Sequence, residues 1–243
     1  MKILRFTLSG KSAMFKKPDV NSYFYFTYGQ IHKPALLGIF GAVLGYAGYN
    51  QMNKESVYPE YYDKLQNVRV SIVPNADNGY FPKKITYFNN STGFASHEQG
   101  GNLIIKEQWL EEPSWDIYVL LDSDEAEKIA EFMLEGKSVY LPYLGKNDHT
   151  ADIMNVSIEE GVESNKATEL HCLFIKDKAE IDSGFVMPSG NQKEPFKYEE
   201  ALPIGLEPET NQYVLKKLVY TNMNLANIKD EVWSVGNRNI VFY

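Results

Sequence analysis

Alternating apolar and polar residues predict strands at several points in the first part of the chain. Residues 2–8, KILRFTL, alternate in part, and residues 67–74, NVRVSIVP, place Val68, Val70 and Ile72 on one side. Apolar runs at 103–109, 115–121 and 138–144 predict three further strands.

Two helices are predicted between these strands. Pro34 suits a first helical turn, where a missing N–H costs nothing, and the apolar residues after it extend a helix to about Tyr46. Asp122-Ser123-Asp124 caps a second helix over about 123–136, with Gly136 just past its end. The order of strand, helix, strand, insertion, strand, helix and strand is the split βαβ, or ferredoxin-like, arrangement of an α+β fold.

The rest of the pattern divides the chain into two parts. Residues 75–101 are rich in Asn, Gly, Ser, Thr and aromatics and predict a long hairpin or functional loop. Beyond residue 148, strands are predicted at 153–159, 168–175, 213–221 and 232–242, with a Pro/Gly-rich stretch at 183–195. The predicted domains are therefore residues 1–148, with an insertion at about 75–106, and a β-rich region at 149–243.

Charge is distributed unevenly along the 243 residues, whose net charge is −8. Residues 1–55 contain seven Lys or Arg and two Asp or Glu, a net charge of +5, whereas the remaining residues contain 17 and 30, a net charge of −13. The total argues against a general nucleic-acid binder, because phosphate affinity depends on Lys and Arg. The basic N-terminal part instead predicts one surface that faces a polyanion and an acidic remainder that faces solvent or protein partners.

Several classes of site are excluded or disfavoured. A lone cysteine, Cys172, excludes an intrachain disulfide and a multi-cysteine metal centre, and fits a reducing cytoplasm. No pair of histidines has HExxH or HxH spacing, so we expect no metal and no cofactor. The uncharged stretch 34–49 falls short of the ~20 residues that span a bilayer, and no apolar leader precedes it, so a buried helix and no membrane contact are expected.

Glycines recur along the first predicted helix at spacings of three and four, which puts Gly38, Gly41 and Gly45 on one stripe. Each glycine costs a helix ~1 kcal/mol relative to alanine, so we expect a strand or a ligand backbone to approach this stripe closely. His32 and Lys33 stand at the helix start, where free N–H groups favour phosphate; the alternative, that both belong to an ordinary loop, stays open.

Aromatic and basic residues are interleaved in two places. Lys11, Lys16, Lys17 and Lys33 mingle with Phe15, Tyr23, Tyr25 and Tyr28, and Lys83 and Lys84 mingle with Tyr80, Phe81, Tyr87 and Phe88. This mixture is typical of single-stranded nucleic-acid sites, where cations follow phosphates and rings stack on bases. Part of the aromatic set must also fill the core.

The segment 14–49 resembles the N-terminal signature of the CRISPR-associated protein five (Cas-five) family, in the form found in type I-B Cascade effectors. The matching pieces are KILRFTLSGKSAMFKKP, NSYFYFTYG and the GIFGAVLGY glycine helix. Later matches are YPEYYDKLQ at 58–66, VYLPYLGKND at 139–148, EALPIGL at 200–206 and KLVYTNM at 217–223.

This resemblance implies a ferredoxin-like, RRM-like palm of the RAMP superfamily, with a β-hairpin thumb inserted between its second and third strands. It implies a subunit that binds the 5′ handle of the guide RNA (crRNA), caps the Cas-seven backbone and lies near the Cascade large subunit. The thumb of such proteins reaches the region where guide and target DNA pair. In type I-C the family member also cuts precursor RNA with a Tyr, a Lys and a His, whereas in type I-B that cut belongs to Cas-six.

The site residues predicted on this basis fall into three groups. Those expected at handle phosphates are Lys11, Ser12, Lys16 and Lys17. Those expected on or at the start of the glycine helix are Tyr28, Gln30, His32, Lys33, Gly38, Gly41 and Gly45. Those expected on the thumb are Lys83, Lys84, Tyr87 and Phe88.

Catalysis is not expected, because no adjacent Lys-His pair occurs and only the reversed His32-Lys33 is present. A base and an acid for RNA cleavage could be assembled from Tyr46 or Tyr49 with Lys33 and His32. A guide-processing endoribonuclease and a scaffold that contacts only protein therefore remain as alternatives.

Overall fold

The computed structural model describes residues 1–19, 23–89, 91, 93, 97–182 and 194–243. Its strands in the first part of the chain are β1 (Lys2–Ser9), β2 (Ser12–Ala13), β3 (Phe24–Tyr25), β4 (Val70–Pro74), β5 (Lys83–Asn89), β6 (Ile104–Glu111) and β7 (Ser114–Leu120). The later strands are β8 (Asp152–Glu163), β9 (Phe174–Ile175), β10 (Glu180–Ile181), β11 (Lys197–Leu206), β12 (Tyr213–Thr221), β13 (Leu225–Ala226), β14 (Val232–Val235) and β15 (Arg238–Val241). The helices are α1 (Lys33–Leu44), α2 (Glu60–Leu65) and α3 (Asp124–Leu134).

A six-stranded antiparallel sheet in the order β15-β14-β8-β1-β7-β4 forms the centre of the fold. Alternation along β1 points Leu4, Phe6 and Leu8 into the core that contains α1 and α3, whereas Ile3 belongs to a second core. That second core includes Phe174, Val219 and the strands β14 and β15. Both faces of the sheet are therefore covered, and the architecture is mixed α+β with few helices.

Helices α1 and α3 show why two helical sequences differ in polarity. α1 is apolar on nearly all sides because it packs against α2, α3 and β11 as well as the sheet. α3 is amphipathic: Ser123 caps it by accepting from Ala126 N at 3.3 Å, and three acidic residues occupy its first turn. The predictions at 34–46 and 123–136 are confirmed to within a few residues.

The predicted strand at 138–144 is wrong. This segment runs beside the end of α1, where the N–H groups of Val139 and Tyr140 donate to the carbonyls of Val43 and Ala42, both at 3.0 Å. Leu141 is 73% exposed, so the apolar run is not a buried strand. In the predicted order of strands and helices, the place of the last strand is taken by β8, which pairs with β1. The central sheet therefore crosses the boundary predicted at residue 148.

Two hairpins belong to two smaller, separate sheets. β5 pairs with β6 from Lys83↔Leu110 to Asn89↔Ile104, within and just beyond the predicted insertion, and β2 and β3 also pair with β6. β11 pairs with β12 over nearly its full length and lies against α1. β12 confirms the strand predicted at 213–221, whereas β11 was not predicted.

The other C-terminal predictions have mixed outcomes. β8 confirms and extends the strand predicted at 153–159, but only Phe174 and Ile175 of the predicted 168–175 form a strand. The predicted strand at 232–242 is two strands joined at Gly236, whose φ is +58°. Most of the Pro/Gly-rich stretch, residues 183–193, lies outside the described residues. Among the described helices, none has both the length and the apolar character needed to span a membrane.

Candidate nucleic-acid interface

An open groove of about 590 Å³ runs along one flank of α1. We call it the helix groove. Its floor contains Ala35, Gly38 and Ala42 of α1, and its walls come from the segments around residues 14–16, 46–51 and 140–145 and from β12. The described lining residues include Lys16 and no Asp or Glu, although the chain as a whole carries a net charge of −8.

Tyrosines dominate the walls of the helix groove. The tyrosines that line it are Tyr46, Tyr49, Tyr61, Tyr140, Tyr143 and Tyr213. Tyr49 is 63% exposed and Tyr140 is 53% exposed, so their rings are open to a ligand. Exposed rings beside a cation and without competing carboxylates form a surface on which unpaired bases can stack.

The three glycines of α1 serve three different purposes. A Cβ on Gly38 would meet nothing within 4 Å, so this glycine widens the floor of the helix groove. A Cβ on Gly41 would lie 2.6 Å from Tyr61 Cβ, so this glycine lets α2 approach α1. Gly45 has a φ of +79° and ends the helix. The predicted close approach is therefore confirmed for a protein neighbour at Gly41 and does not apply at Gly38.

The start of α1, where a handle site was predicted, is largely buried, and of its residues His32 lines the edge of the helix groove. His32 is 3% exposed and caps the helix, with its Nδ1 accepting from Ala35 N at 3.3 Å. Burial lowers the pKa of His32 to about 3, so the ring is neutral at pH 7 and carries no charge for a phosphate. Lys33 follows it, half-buried, and burial lowers its pKa to about 8.

Gln30 and Tyr28 are also core residues. Gln30 is fully buried: its Nε2 donates to Gly79 O at 2.6 Å, and its Oε1 accepts from Trp115 Nε1 at 2.8 Å. Tyr28 is 2% exposed, and burial raises its pKa to about 12. Neither side chain can line an open RNA site in this structure, because its polar or aromatic surface is already covered by protein.

The four residues predicted at handle phosphates are separated. Lys11 is exposed near the base of β5–β6, and Ser12 Oγ lies 2.7 Å from His149 Nδ1. Lys16 lines the helix groove, with its Nζ 4.0 Å from the centre of the Tyr25 ring. Lys17 pairs with Glu200 at 2.7 Å. Of the four, the structure brings Lys16 to the groove.

The residues predicted on the thumb lie on opposite faces of the β5–β6 hairpin. Lys83 and Tyr87 share one face, where Tyr87 is 61% exposed beside Lys106. Lys84 and Phe88 share the other face, where Lys84 pairs with Glu111 at 3.4 Å and Lys146 lies over the Phe88 ring. The four residues therefore do not form one surface.

Sequence reasoning missed most of the walls of the helix groove. Tyr140 and Tyr143 belong to the segment that was predicted to be a strand, and Tyr213 comes from β12, far away in sequence. The signal that could have indicated these walls was the run VYLPYL at 139–144. It contains two tyrosines and three aliphatic residues, and its apolar and polar positions do not alternate as in a half-buried strand. Among the described residues, no group of three or more His, Cys, Asp or Glu is arranged to hold a metal ion.

Comparison with known proteins identifies the fold. No protein-family model and no curated protein matches the sequence. A chain of a CRISPR RNA-guided surveillance complex is similar in structure, with a TM-score of 0.55 and 12% identity over 94% of this chain and 92% of that chain. A CRISPR protein from Archaeoglobus fulgidus has a TM-score of 0.51 and 9% identity over 99% of this chain and 98% of that chain. The chain therefore shares its fold with CRISPR proteins.

Proposed function

We propose that the protein is a guide-RNA-binding subunit of a type I-B CRISPR effector, Cascade, and a member of the Cas-five family. The observation that carries this proposal is the helix groove, which offers tyrosine rings and Lys16 without a lining carboxylate. Such a surface suits single-stranded RNA, and we propose the 5′ handle of crRNA as its ligand. The fold shared with a chain of a surveillance complex supports the same assignment.

We further propose that β8-β1-β7-β4, together with α1 and α3, is the ferredoxin-like palm of the RAMP superfamily. Two observations support this: the four strands are neighbours in this order, and one helix follows β1 while another follows β7. In this proposal β5–β6 is the thumb, and target DNA approaches it. The Cas-seven backbone and the large subunit contact surfaces outside the helix groove.

A binding role is favoured over RNA cleavage by the state of His32. Its Nδ1 accepts from Ala35 N, and its burial keeps the ring neutral, so at pH 7 it is not the imidazolium that a general acid for the leaving oxygen requires. We therefore propose a non-catalytic subunit. Labelled repeat RNA incubated with the protein in EDTA should stay intact; a site-specific cut that is lost in His32→Ala would establish the endoribonuclease instead.

The test of the RNA-binding proposal compares two substitutions at one groove residue. Tyr140→Ala removes the ring and should weaken binding of the handle RNA roughly tenfold, because stacking on one base contributes ~1–3 kcal/mol. Tyr140→Phe keeps the ring and should bind about as well as the wild type. Fluorescence anisotropy of labelled RNA measures both.

Two results would contradict the proposal. Equal affinity of Tyr140→Ala and Tyr140→Phe would show that the groove does not stack bases. Failure of the wild type to bind handle RNA, alone and within the assembled complex, would favour the scaffold that contacts only protein.

A further inference from the structure

Glu200, on β11, carries a carboxylate that is held by hydrogen-bond donors from distant parts of the chain. Its Oε1 lies 2.7 Å from Lys17 Nζ, and its Oε2 accepts from Gly29 N at 2.8 Å and from Tyr198 OH at 2.5 Å. The acidic C-terminal part of the chain therefore does not face only solvent and partners. One of its carboxylates, that of Glu200, contacts Lys17 and Gly29 of the basic N-terminal part.

A second cation stands beside this carboxylate. Lys83 lines a small open groove of about 180 Å³ together with Gly29, Tyr198 and Glu200. Among the described residues Lys83 has no ion-pair partner, and its charge is close enough to Glu200 and Lys17 for each to influence its pKa. Two ammonium groups thus face the single carboxylate of Glu200.

The backbone is built to bring these donors together. A Cβ on Gly29 would lie 2.6 Å from Tyr198 OH and 3.1 Å from Glu200 Oε2, so only glycine allows this approach without a shift. Two lysines, a backbone N–H and a tyrosine hydroxyl are the donors that phosphate oxygens take in proteins. Here a carboxylate of the chain itself occupies their centre.

We propose that Lys17, Lys83, Gly29 N–H and Tyr198 OH form a phosphate-binding site, which Glu200 occupies until a backbone phosphate of RNA displaces it. The inference rests on the proposed function, because it takes the ligand to be RNA. It adds a site outside the helix groove and gives Glu200 a role in specificity. By competing for these donors, Glu200 weakens binding of any polyanion that lacks further contacts in the groove.

The adjacent residue, Glu199, provides a matched control. It carries the same charge and also lines the small groove, but its carboxylate pairs with Lys176 at 2.9 Å and Lys197 at 2.6 Å rather than with Lys17. Glu199→Gln and Glu200→Gln therefore change the net charge equally. Only the second frees Lys17 and Gly29.

The test measures the affinity of each full-length variant for a short single-stranded RNA of unrelated sequence over a salt series. Glu200→Gln should tighten binding roughly fivefold at low salt, with a steeper dependence on salt, and Glu199→Gln should change it by less than about twofold. Adding Lys17→Gln to Glu200→Gln should remove the gain. Inorganic phosphate as competitor distinguishes a site for free phosphate from one that needs a nucleic-acid chain.

Three results would overturn the proposal. Equal gains in Glu199→Gln and Glu200→Gln would reduce the effect to net charge. Weaker binding by a folded Glu200→Gln would make the carboxylate purely structural. Competition by phosphate as strong as that by RNA of equal phosphate content would reject the nucleic-acid ligand.

Wild-type protein gives an independent measurement if Glu200→Gln fails to fold. Acetylation of lysines, read by mass spectrometry, should become slower at Lys17 and Lys83 when RNA is bound, and should not change at Lys176 and Lys197. Equal protection at both pairs would reject the site. If RNA binding depends on Tyr140 but does not protect Lys17, this phosphate site is rejected and the proposed function stands. If the protein binds no RNA at all, both the phosphate site and the proposed function are rejected.

Discussion

The start of α1 and the groove along its flank contain similar residues in opposite situations. We call residues 28–33 the helix start. There Tyr28, Gln30 and His32 are at most 3% exposed and are bonded to or packed on protein. In the helix groove, by contrast, Tyr49 and Tyr140 are more than half exposed and face open space.

The difference shows what determines the role of an aromatic or polar residue near a glycine helix. Residue type alone assigned the helix start to RNA and left Tyr140 and Tyr213 of the helix groove out. Burial separates them: the Gln30 amide is bonded at both its oxygen and its nitrogen, Tyr28 is enclosed, and His32 reaches the edge of the helix groove only as a neutral ring that is 3% exposed. The helix start fixes where α1 begins, and the helix groove is left to bind.

The largest expected effect concerns Gln30. Gln30→Ala leaves the buried N–H of Trp115 and the carbonyl of Gly79 without partners and opens a cavity. We expect a loss of about 3 kcal/mol in the free energy of unfolding, measured by urea denaturation. RNA affinity of the folded protein should be unchanged, because Gln30 does not line the helix groove.

A second glutamine is the control for this prediction. Gln51 lines the helix groove and accepts from Gly48 N at 3.0 Å on the exposed surface. Gln51→Ala should cost less than about 1 kcal/mol of stability. If Gln30→Ala weakened RNA binding while leaving stability intact, the distinction between helix start and helix groove would be wrong.

The next effect is an acid sensitivity that arises at the helix start. The unfolded chain protonates His32 near its ordinary pKa of 6.5, whereas the folded chain does so only near pH 3. The contribution of His32 to the free energy of unfolding is therefore largest above pH 6.5, and it decreases as the pH falls towards 3. Between pH 7 and pH 5 the loss is about 2 kcal/mol.

His32→Asn isolates that contribution, since asparagine keeps a capping acceptor and does not titrate. The variant should lose about 2 kcal/mol less than the wild type between pH 7 and pH 5, in urea denaturation at both pH values. The comparison cancels His149, whose pKa burial also lowers. Parallel losses in the two proteins would mean that His32 is not buried in its neutral form.

Much of the fold could be predicted from local patterns. The Pro34 start, the Ser123 cap and the alternation in β1 each depend on neighbours within a few residues, and these elements are where the sequence indicates. The prediction of a strand at 138–144 failed because most of its apolar residues, Val139 and Leu141 among them, remain exposed beside α1, although Leu144 is buried. Tertiary position, rather than local pattern, decides such a segment.

The candidate site was less predictable for the same reason. Tyr213 reaches the groove from β12, and Glu200 reaches Lys17 from β11, across 183 residues of sequence. Neither relationship leaves a periodic signal. The helical spacing of Gly38, Gly41 and Gly45 suggested one shared purpose, yet Gly38 faces open space, Gly41 faces Tyr61 and Gly45 ends the helix.

The smallest expected effect divides the two roles of these glycines. Gly38→Ala gains up to ~1 kcal/mol of helix propensity without a clash, so it should raise the melting temperature. The added methyl group lies on the floor of the helix groove, so the same variant should bind RNA roughly threefold more weakly. Gly41→Ala makes the same chemical change against Tyr61 Cβ and should lose about 1 kcal/mol, because overpacking exceeds the gain in propensity. Thermal denaturation measures both variants. If both gained or both lost stability, the glycines would share one role, as the sequence suggested. If Gly38→Ala is more stable than the wild type but binds RNA more weakly, while Gly41→Ala is less stable, then Gly38 keeps the floor of the helix groove open.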